Sequence, residues 1–233
     1  MKKNLLLIGP PGVGKGTQAE LICQEFGNVH VATGDIFRSE IKAGTELGKL
    51  ATKYISQGQL VPDDVVIDII DKRLMQDDIV EHGFLLDGFP RTVDQAEALE
   101  RALDNEGLRL DVVISLEAPN EIITERMLAR GRKDDTRETI LDRLQVFRNQ
   151  TKPVLDFYAD HGYLKVINAD QTVEAVQSDI KELLAQLSSS NTTPRSPRSG
   201  KTGAFLPGPC GLFPSRSNLV RRGFLISMNS QSG

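Results

Sequence analysis

The sequence predicts an α/β fold: a doubly wound parallel sheet of five strands with helices on both faces. Three observations carry this expectation. Short apolar runs recur around residues 4–8, 29–32, 83–87, 111–116 and 164–167, each of strand length. Stretches with helical apolar spacing separate them, as when each crossover between parallel strands is a helix. A glycine-rich turn, GPPGVGKGT at 9–17, joins the first strand to the first helix.

That turn has the setting a phosphate-cradling P-loop requires: strand before, helix after. Gly12 and Gly14 let backbone N–H groups approach an anion, and the following helix adds the positive end of its dipole. Lys15 supplies a point charge for the terminal phosphates. A turn with only a structural job has no use for a lysine at that spacing, so the chain is read as binding a nucleoside triphosphate. Gly16 stands where most P-loops place a magnesium-ligating Ser or Thr, and the hydroxyl comes one place later, at Thr17. Magnesium is therefore expected to ride with the phosphates and water, with a carboxylate at a distance.

The first helix follows through Phe26, and Val29–Ala32 is the second strand. Asp35 is expected to cap a helix carrying Ile36, Phe37, Arg38 and Ile41. Gly44 ends it, a further helix runs from about Glu46 to Ser56, and Pro62-Asp63-Asp64 opens the next. Three helices without a strand between them read as an insertion. Gly83–Asp87 is a buried strand ending in an acid, followed by Gly88-Phe89-Pro90-Arg91 and a helix from Val93 to about Leu103. After the fourth strand, Pro119 starts a helix through Met127. One long helix is predicted from Thr136 to Ala159, and Val173–Leu187 closes the fold after the fifth strand.

From Ser188 onward helical periodicity is lost, and Ser, Gly and Pro supply nearly half of residues 188–233. This segment is read as a disordered tail. It carries six bases and no acid, which leaves residues 1–187 with 22 bases against 32 acids. An acidic body argues against a nucleic-acid partner. The two cysteines, Cys23 and Cys210, are far apart and cannot form a zinc site alone. MKKNLLLIG superficially resembles a signal peptide, but its apolar run is too short and leads into the phosphate loop. No stretch has the length of a membrane span. A soluble, cytoplasmic protein without a membrane partner is the expectation, with a monomer as the default.

The arginines point to the reaction type. A phosphoryl group in transfer needs positive charge around its equatorial oxygens and little else from the protein. Arg38, Arg91, Arg130, Arg132 and Arg143 lie near predicted strand ends or a glycine turn, where phosphate contact is favoured over surface ion pairs. Arg137 and Arg148 are read as ordinary ion-pair partners of neighbouring acids. Asp87, at the end of an apolar strand, suits magnesium-bound water near the β- and γ-phosphates.

Five strings occur in the order found in adenylate kinases: GPPGVGKGTQ (9–18), TGDIFR (33–38), GQLVPD (58–63), GFLLDGFPRTVDQA (83–96) and RGRKDDTRETILDRL (130–144). The sequence resembles that family over residues 4 to about 187. The resemblance implies a P-loop domain over 1–187 with an NMP-binding segment at 32–61 and a very short lid at 129–135. It implies that Lys15, with Gly12, Val13, Gly14, Gly16 and Thr17, holds the ATP phosphates. Arg126 and Arg130 would lie over the ATP adenine and phosphates, and Gln171 would lie where a backbone carbonyl meets the ATP base. AMP would be held by Thr33, Arg38, Gln59, Leu60, Val61, Gly88, Phe89, Pro90, Arg91 and Gln95, with Gln95 reading the adenine edge. Arg132 and Arg143 would clamp the transferring phosphoryl group and AMP.

The resemblance thus implies reversible transfer of the γ-phosphoryl of Mg-ATP to AMP. Lys15, Arg91, Arg132, Arg143 and Asp87 would be catalytic, and no metal would be held directly by the protein. Many relatives carry a longer lid, sometimes with four zinc-binding cysteines; this chain has none there, so zinc is not expected. Two alternatives stay open at this point. A kinase of UMP and CMP shares the fold, but such relatives usually have Ala in place of Thr33 and Asn in place of Thr92. A non-catalytic nucleotide sensor would have little use for the full set of lysine, aspartate and arginines.

Overall fold

The computed structural model describes residues 3–132 and 135–190. Within them, Leu5–Ile8 (β1), Val29–Ala32 (β2), Phe84–Asp87 (β3), Val112–Glu117 (β4) and Leu164–Asn168 (β5) form a parallel sheet in the order β2-β3-β1-β4-β5. The helices are Lys15–Phe26 (α1), Thr33–Ala43 (α2), Glu46–Ile55 (α3), Asp63–Leu74 (α4), Asp77–His82 (α5) and Val93–Asn105 (α6). They continue with Asn120–Arg130 (α7), Arg137–Val146 (α8), Lys152–Asp160 (α9) and Val173–Ser190 (α10).

The inner strands β1, β3 and β4 read as largely apolar runs because helices cover both faces of the sheet there, whereas edge strand β5 leaves Lys165 and Val166 exposed. Leu6 and Ile8 of β1 pack on one side with Phe84, Leu86, Leu99, Val154 and Tyr158. Leu5 and Leu7 pack on the other with Ile22 of α1 and Ile180 and Leu184 of α10. A third, smaller cluster, Ile123, Met127, Ile140 and Leu144, holds α7 against α8. Each fully buried Leu or Ile contributes about 1.5–3 kcal/mol relative to exposure. The sheet is thus a packed base from which the loops at the carboxyl ends of its strands depart.

Four expectations need correction. Helix α2 starts at Thr33 with Ala32 in the capping position, so Asp35 lies in its first turn and is not the N-cap. A short helix, α5, follows α4 where none was anticipated. The long helix expected over 136–159 is divided by a π-helical turn at Phe147–Thr151. Pro153 explains the division: it has no N–H for the α-helical ladder, and the Lys152 N–H reaches back to the Phe147 carbonyl. Helix α10 continues to Ser190, past the boundary drawn at 187, because serine is tolerated in a helix already anchored by its apolar face. The tail expected after it lies, from residue 191, outside the described residues.

Candidate active site

The phosphate loop leaves β1 at Gly9 and becomes helical at Lys15. Gly14 precedes the helix in the left-handed region, at φ 110°, and no side chain caps α1. The leading N–H groups of the helix are left for an anion. Gly12, at φ 80°, is pinned as well: a Cβ there would come within 2.3 Å of Met127 Cγ on α7. Lys15 Nζ donates to the carbonyls of Gly9 (2.8 Å) and Pro10 (2.9 Å), folding back over its own loop.

Sheet register brings Asp87 to this loop. It pairs with Leu7 on β1 and Ala32 on β2, so the acid sits between the two strand ends from which the phosphate loop and α2 depart. Its side chain is 15% exposed and lies 3.8 Å from His30 Nε2. Burial raises the Asp87 pKa, but His30 and the charges of Lys15 and Arg91 outweigh that and hold it below the usual carboxylate range. Loss of water around Lys15 pushes its ammonium down to about 8; Asp87 opposes the shift, while Arg91, Arg130 and Arg132 add to it. The site is crowded with positive charge and short of a counter-anion.

Asp135 supplies part of that counter-charge from beneath. Its side chain is wholly buried and accepts two bonds from Arg130, through Nε and Nη2, each 2.9 Å. It also accepts from Arg143 Nη1 (3.2 Å) and from the Arg132 backbone N–H (3.3 Å). Arg38 pairs with Asp35 one helical turn earlier. Ion pairing was expected only for Arg137 and Arg148, which make none with the described residues. The correction has a simple cause: clustered guanidiniums repel one another unless a carboxylate is placed among them.

At the other end of the cleft, Thr33 Oγ1 donates to the Gly88 carbonyl at 2.8 Å, and so does Arg91 Nε. Burial lowers the Arg91 pKa, Asp87 opposes this, and Arg143 and Arg38 add to it. Gln95, 1% exposed, accepts from the Arg91 N–H and donates to Asp63. Near the phosphate loop, Arg126 Nη1 donates to the Ala169 carbonyl at 2.9 Å and the Val13 carbonyl at 3.3 Å. Arg126 Nη2 reaches the Gln171 carbonyl at 3.4 Å, so this arginine ties the loop to the segment before α10.

One cleft of about 1110 Å³ is lined by Lys15, His30, Thr33, Asp87, Gln95 and the arginines, with Asp63 and Asp135 behind its wall. Every site residue expected from the sequence lines it, from the phosphate loop and Lys15 to Gln171. Three contributors were missed. His30 sits inside a strand, Asp63 was read as a helix opener, and Asp135 was read as a partner of surface charges. Phe147 and Thr151 of the π-helical turn also line the cleft. Their only advance signal was Pro153 within a helical stretch. Among the described residues no group of three or more His, Cys, Asp or Glu side chains could hold a metal ion, and no helix is long and apolar enough to cross a membrane.

Comparison with known proteins shows the family. A family model described as adenylate kinase matches residues 7–163. The adenylate kinase of Prochlorococcus marinus is 48% identical over 185 residues, spanning 79% of this chain and 100% of the relative. That of Corynebacterium aurimucosum is 50% identical over 171 residues, spanning 73% of this chain and 93% of the relative. That of Bacillus subtilis is 43% identical over 215 residues, spanning 79% of this chain and 99% of the relative. The first and third alignments cover the same share of this chain at 185 and 215 residues, so the Bacillus relative carries about thirty residues that this chain lacks.

Proposed function

Because this chain belongs to the adenylate kinase family and transfers a phosphoryl group reversibly from ATP to AMP, giving two ADP, we propose that both nucleotides lie in the one cleft between the phosphate loop and the 32–61 segment. The observation that carries this reading is the convergence there of Lys15, Asp87 and six arginines from separate parts of the chain. No covalent intermediate on the protein is needed: alignment of the two nucleotides and preorganised charge account for the rate.

Lys15 and the N–H groups of 12–17 hold the ATP phosphates, and Arg126, Arg130 and the Gln171 segment hold the rest of ATP. Thr33, Arg38, the 59–61 segment, 88–91 and Gln95 hold AMP. Arg91, Arg132 and Arg143 surround the phosphoryl group in transfer. Lys15 and the Asp135-bound arginines hydrogen-bond protein acceptors, and phosphate oxygens would exchange with those acceptors on binding. Closure of 32–61 and of the short lid at 129–135 excludes water and so suppresses hydrolysis. The thirty-residue difference from the Bacillus relative supports a short lid, of which residues 133 and 134 lie outside the described residues.

Magnesium fits as a companion of ATP. Asp87 is the acid on the cleft floor beside Lys15, its depressed pKa keeps it anionic, and Gly16 offers no hydroxyl ligand. Asp87 would hold such an ion through water, and the ion would supply neutralisation of phosphate charge. Domain limits of 1–187 and a separate basic tail remain part of this reading, with α10 extending the folded part to Ser190. A monomer is the oligomeric state of this reading. The substrates are those of cytoplasmic nucleotide turnover, and neither nucleic acid nor membrane is invoked.

Lys15 gives the reading a pH signature. In the free enzyme its ammonium titrates at about 8, down from 10.5. The value of kcat/KM for ATP reports free-enzyme ionisations, so it falls above about pH 8, by about tenfold per unit. Stability moves the opposite way: unfolded Lys15 keeps its proton up to 10.5, so this group's contribution rises from about pH 8 to 10.5. A Lys15→Arg variant, charged throughout, has no such limb in kcat/KM. A limb of the same position in that variant would show that another group governs ATP capture.

A further inference from the structure

We propose that Asp63 is a positioning residue that fixes which way the Gln95 amide faces, and thereby sets the preference of the acceptor site for a 6-aminopurine over a 6-oxopurine monophosphate. The inference rests on the reading that Gln95 meets the base edge of AMP. It deepens that reading by stating what makes Gln95 selective.

A glutamine side chain by itself discriminates poorly, because rotation about its last bond exchanges the carbonyl and the amine. At Gln95 both ends are held by groups of fixed polarity. The Arg91 backbone N–H, which can only donate, meets Oε1 at 2.8 Å. An Asp63 carboxylate oxygen accepts from Nε2 at 2.7 Å. The second carboxylate oxygen accepts from Thr92 Oγ1 at 2.6 Å, and Thr92 Oγ1 in turn accepts the Gln95 backbone N–H at 3.2 Å. The four bonds form a ring that joins the first residue of α4 to the N-terminus of α6.

Flipping the amide within this ring sets donor against donor at Arg91 and acceptor against acceptor at Asp63. Held as it is, Gln95 retains one carbonyl lone pair and one N–H for a ligand in the cleft it lines. That pair complements the 6-amino N–H donor and N1 acceptor of adenine. A 6-oxopurine offers O6 as acceptor and N1–H as donor, the reverse pattern, and leaves buried polar groups mispaired. Asparagine at 63 can present either an amine or a carbonyl to Gln95, so Asp63→Asn removes one of the two constraints without changing side-chain size.

The test compares kcat/KM for AMP and for inosine monophosphate in the unaltered protein, in Asp63→Asn and in Gln95→Leu, with unfolding midpoints for all three. The unaltered protein is expected to prefer AMP by about 10³-fold or more. Asp63→Asn is expected to narrow that ratio at least about tenfold, with kcat/KM for inosine monophosphate rising in absolute terms. Equal falls for the two acceptors, or no change in the ratio, would overturn the proposal and leave Asp63 a merely structural tie. Gln95→Leu separates the two layers of inference. If it erases most of the preference while Asp63→Asn does not, only the lock is wrong. If it leaves AMP use and the preference untouched, the assignment of Gln95 to the base edge is wrong and the lock goes with it.

Discussion

Replacing Lys15 with methionine is expected to lower kcat about 10³-fold and to raise the KM for ATP about tenfold. Methionine keeps an unbranched stem of similar length and removes only the charge. Deleting one preorganised donor to a developing anion costs about 10²–10³ in rate, and a charged donor lies at the upper end of that range. The charge at Lys15 is largely removed from water, and Asp87 is the acid that opposes the resulting fall in its pKa. It is therefore poorly compensated until phosphate arrives, and most of its interaction is available to the reacting group. Since the ammonium is desolvated in the free protein, the variant is expected to unfold at the same denaturant concentration or a higher one. A kcat within tenfold of the unaltered protein would remove Lys15 from the phosphoryl site.

The second large effect is expected at Arg91. In Arg91→Ala, kcat falls about 10²–10³-fold and the KM for AMP rises at least about tenfold, while the KM for ATP moves little. The guanidinium is fixed by its Nε bond to the Gly88 carbonyl and stands among Asp87, Arg38 and Arg143. Arg91→Lys is expected to recover little, because a flexible ammonium cannot keep the Gly88 tie and also present a planar fork to phosphate. Steady-state kinetics with each nucleotide varied in turn reads these quantities. Unchanged turnover in Arg91→Ala would show that this arginine stands outside the transfer path.

Much of this was legible in the chain. Strands such as Leu5–Ile8 and Phe84–Asp87 announce themselves because both faces are covered, so the run is apolar up to the acid that ends the second of them. Lys15 and the arginines were found because a phosphate site requires them near strand ends. What stayed hidden depends on distance along the chain or on competing local rules. Asp63 reaches Gln95 across 32 residues, and no spacing rule relates an acid at a helix start to a glutamine in another helix. Asp135 resembled any acid in a polar turn, yet it is buried beneath Arg130 and Arg143. The π-helical turn arises from Pro153 in a sequence whose apolar spacing otherwise reads as one helix.

The most direct measurement is a phosphorus NMR time course of the full chain with Mg-ATP and, in separate samples, AMP, CMP, UMP and GMP. The expected result is loss of ATP with AMP as acceptor, two ADP appearing for each ATP consumed, and no comparable transfer to the other three. Faster transfer to CMP or UMP would contradict the adenylate assignment while leaving the fold intact. Absence of transfer to any acceptor would contradict the catalytic role of Lys15, Asp87 and the clustered arginines altogether.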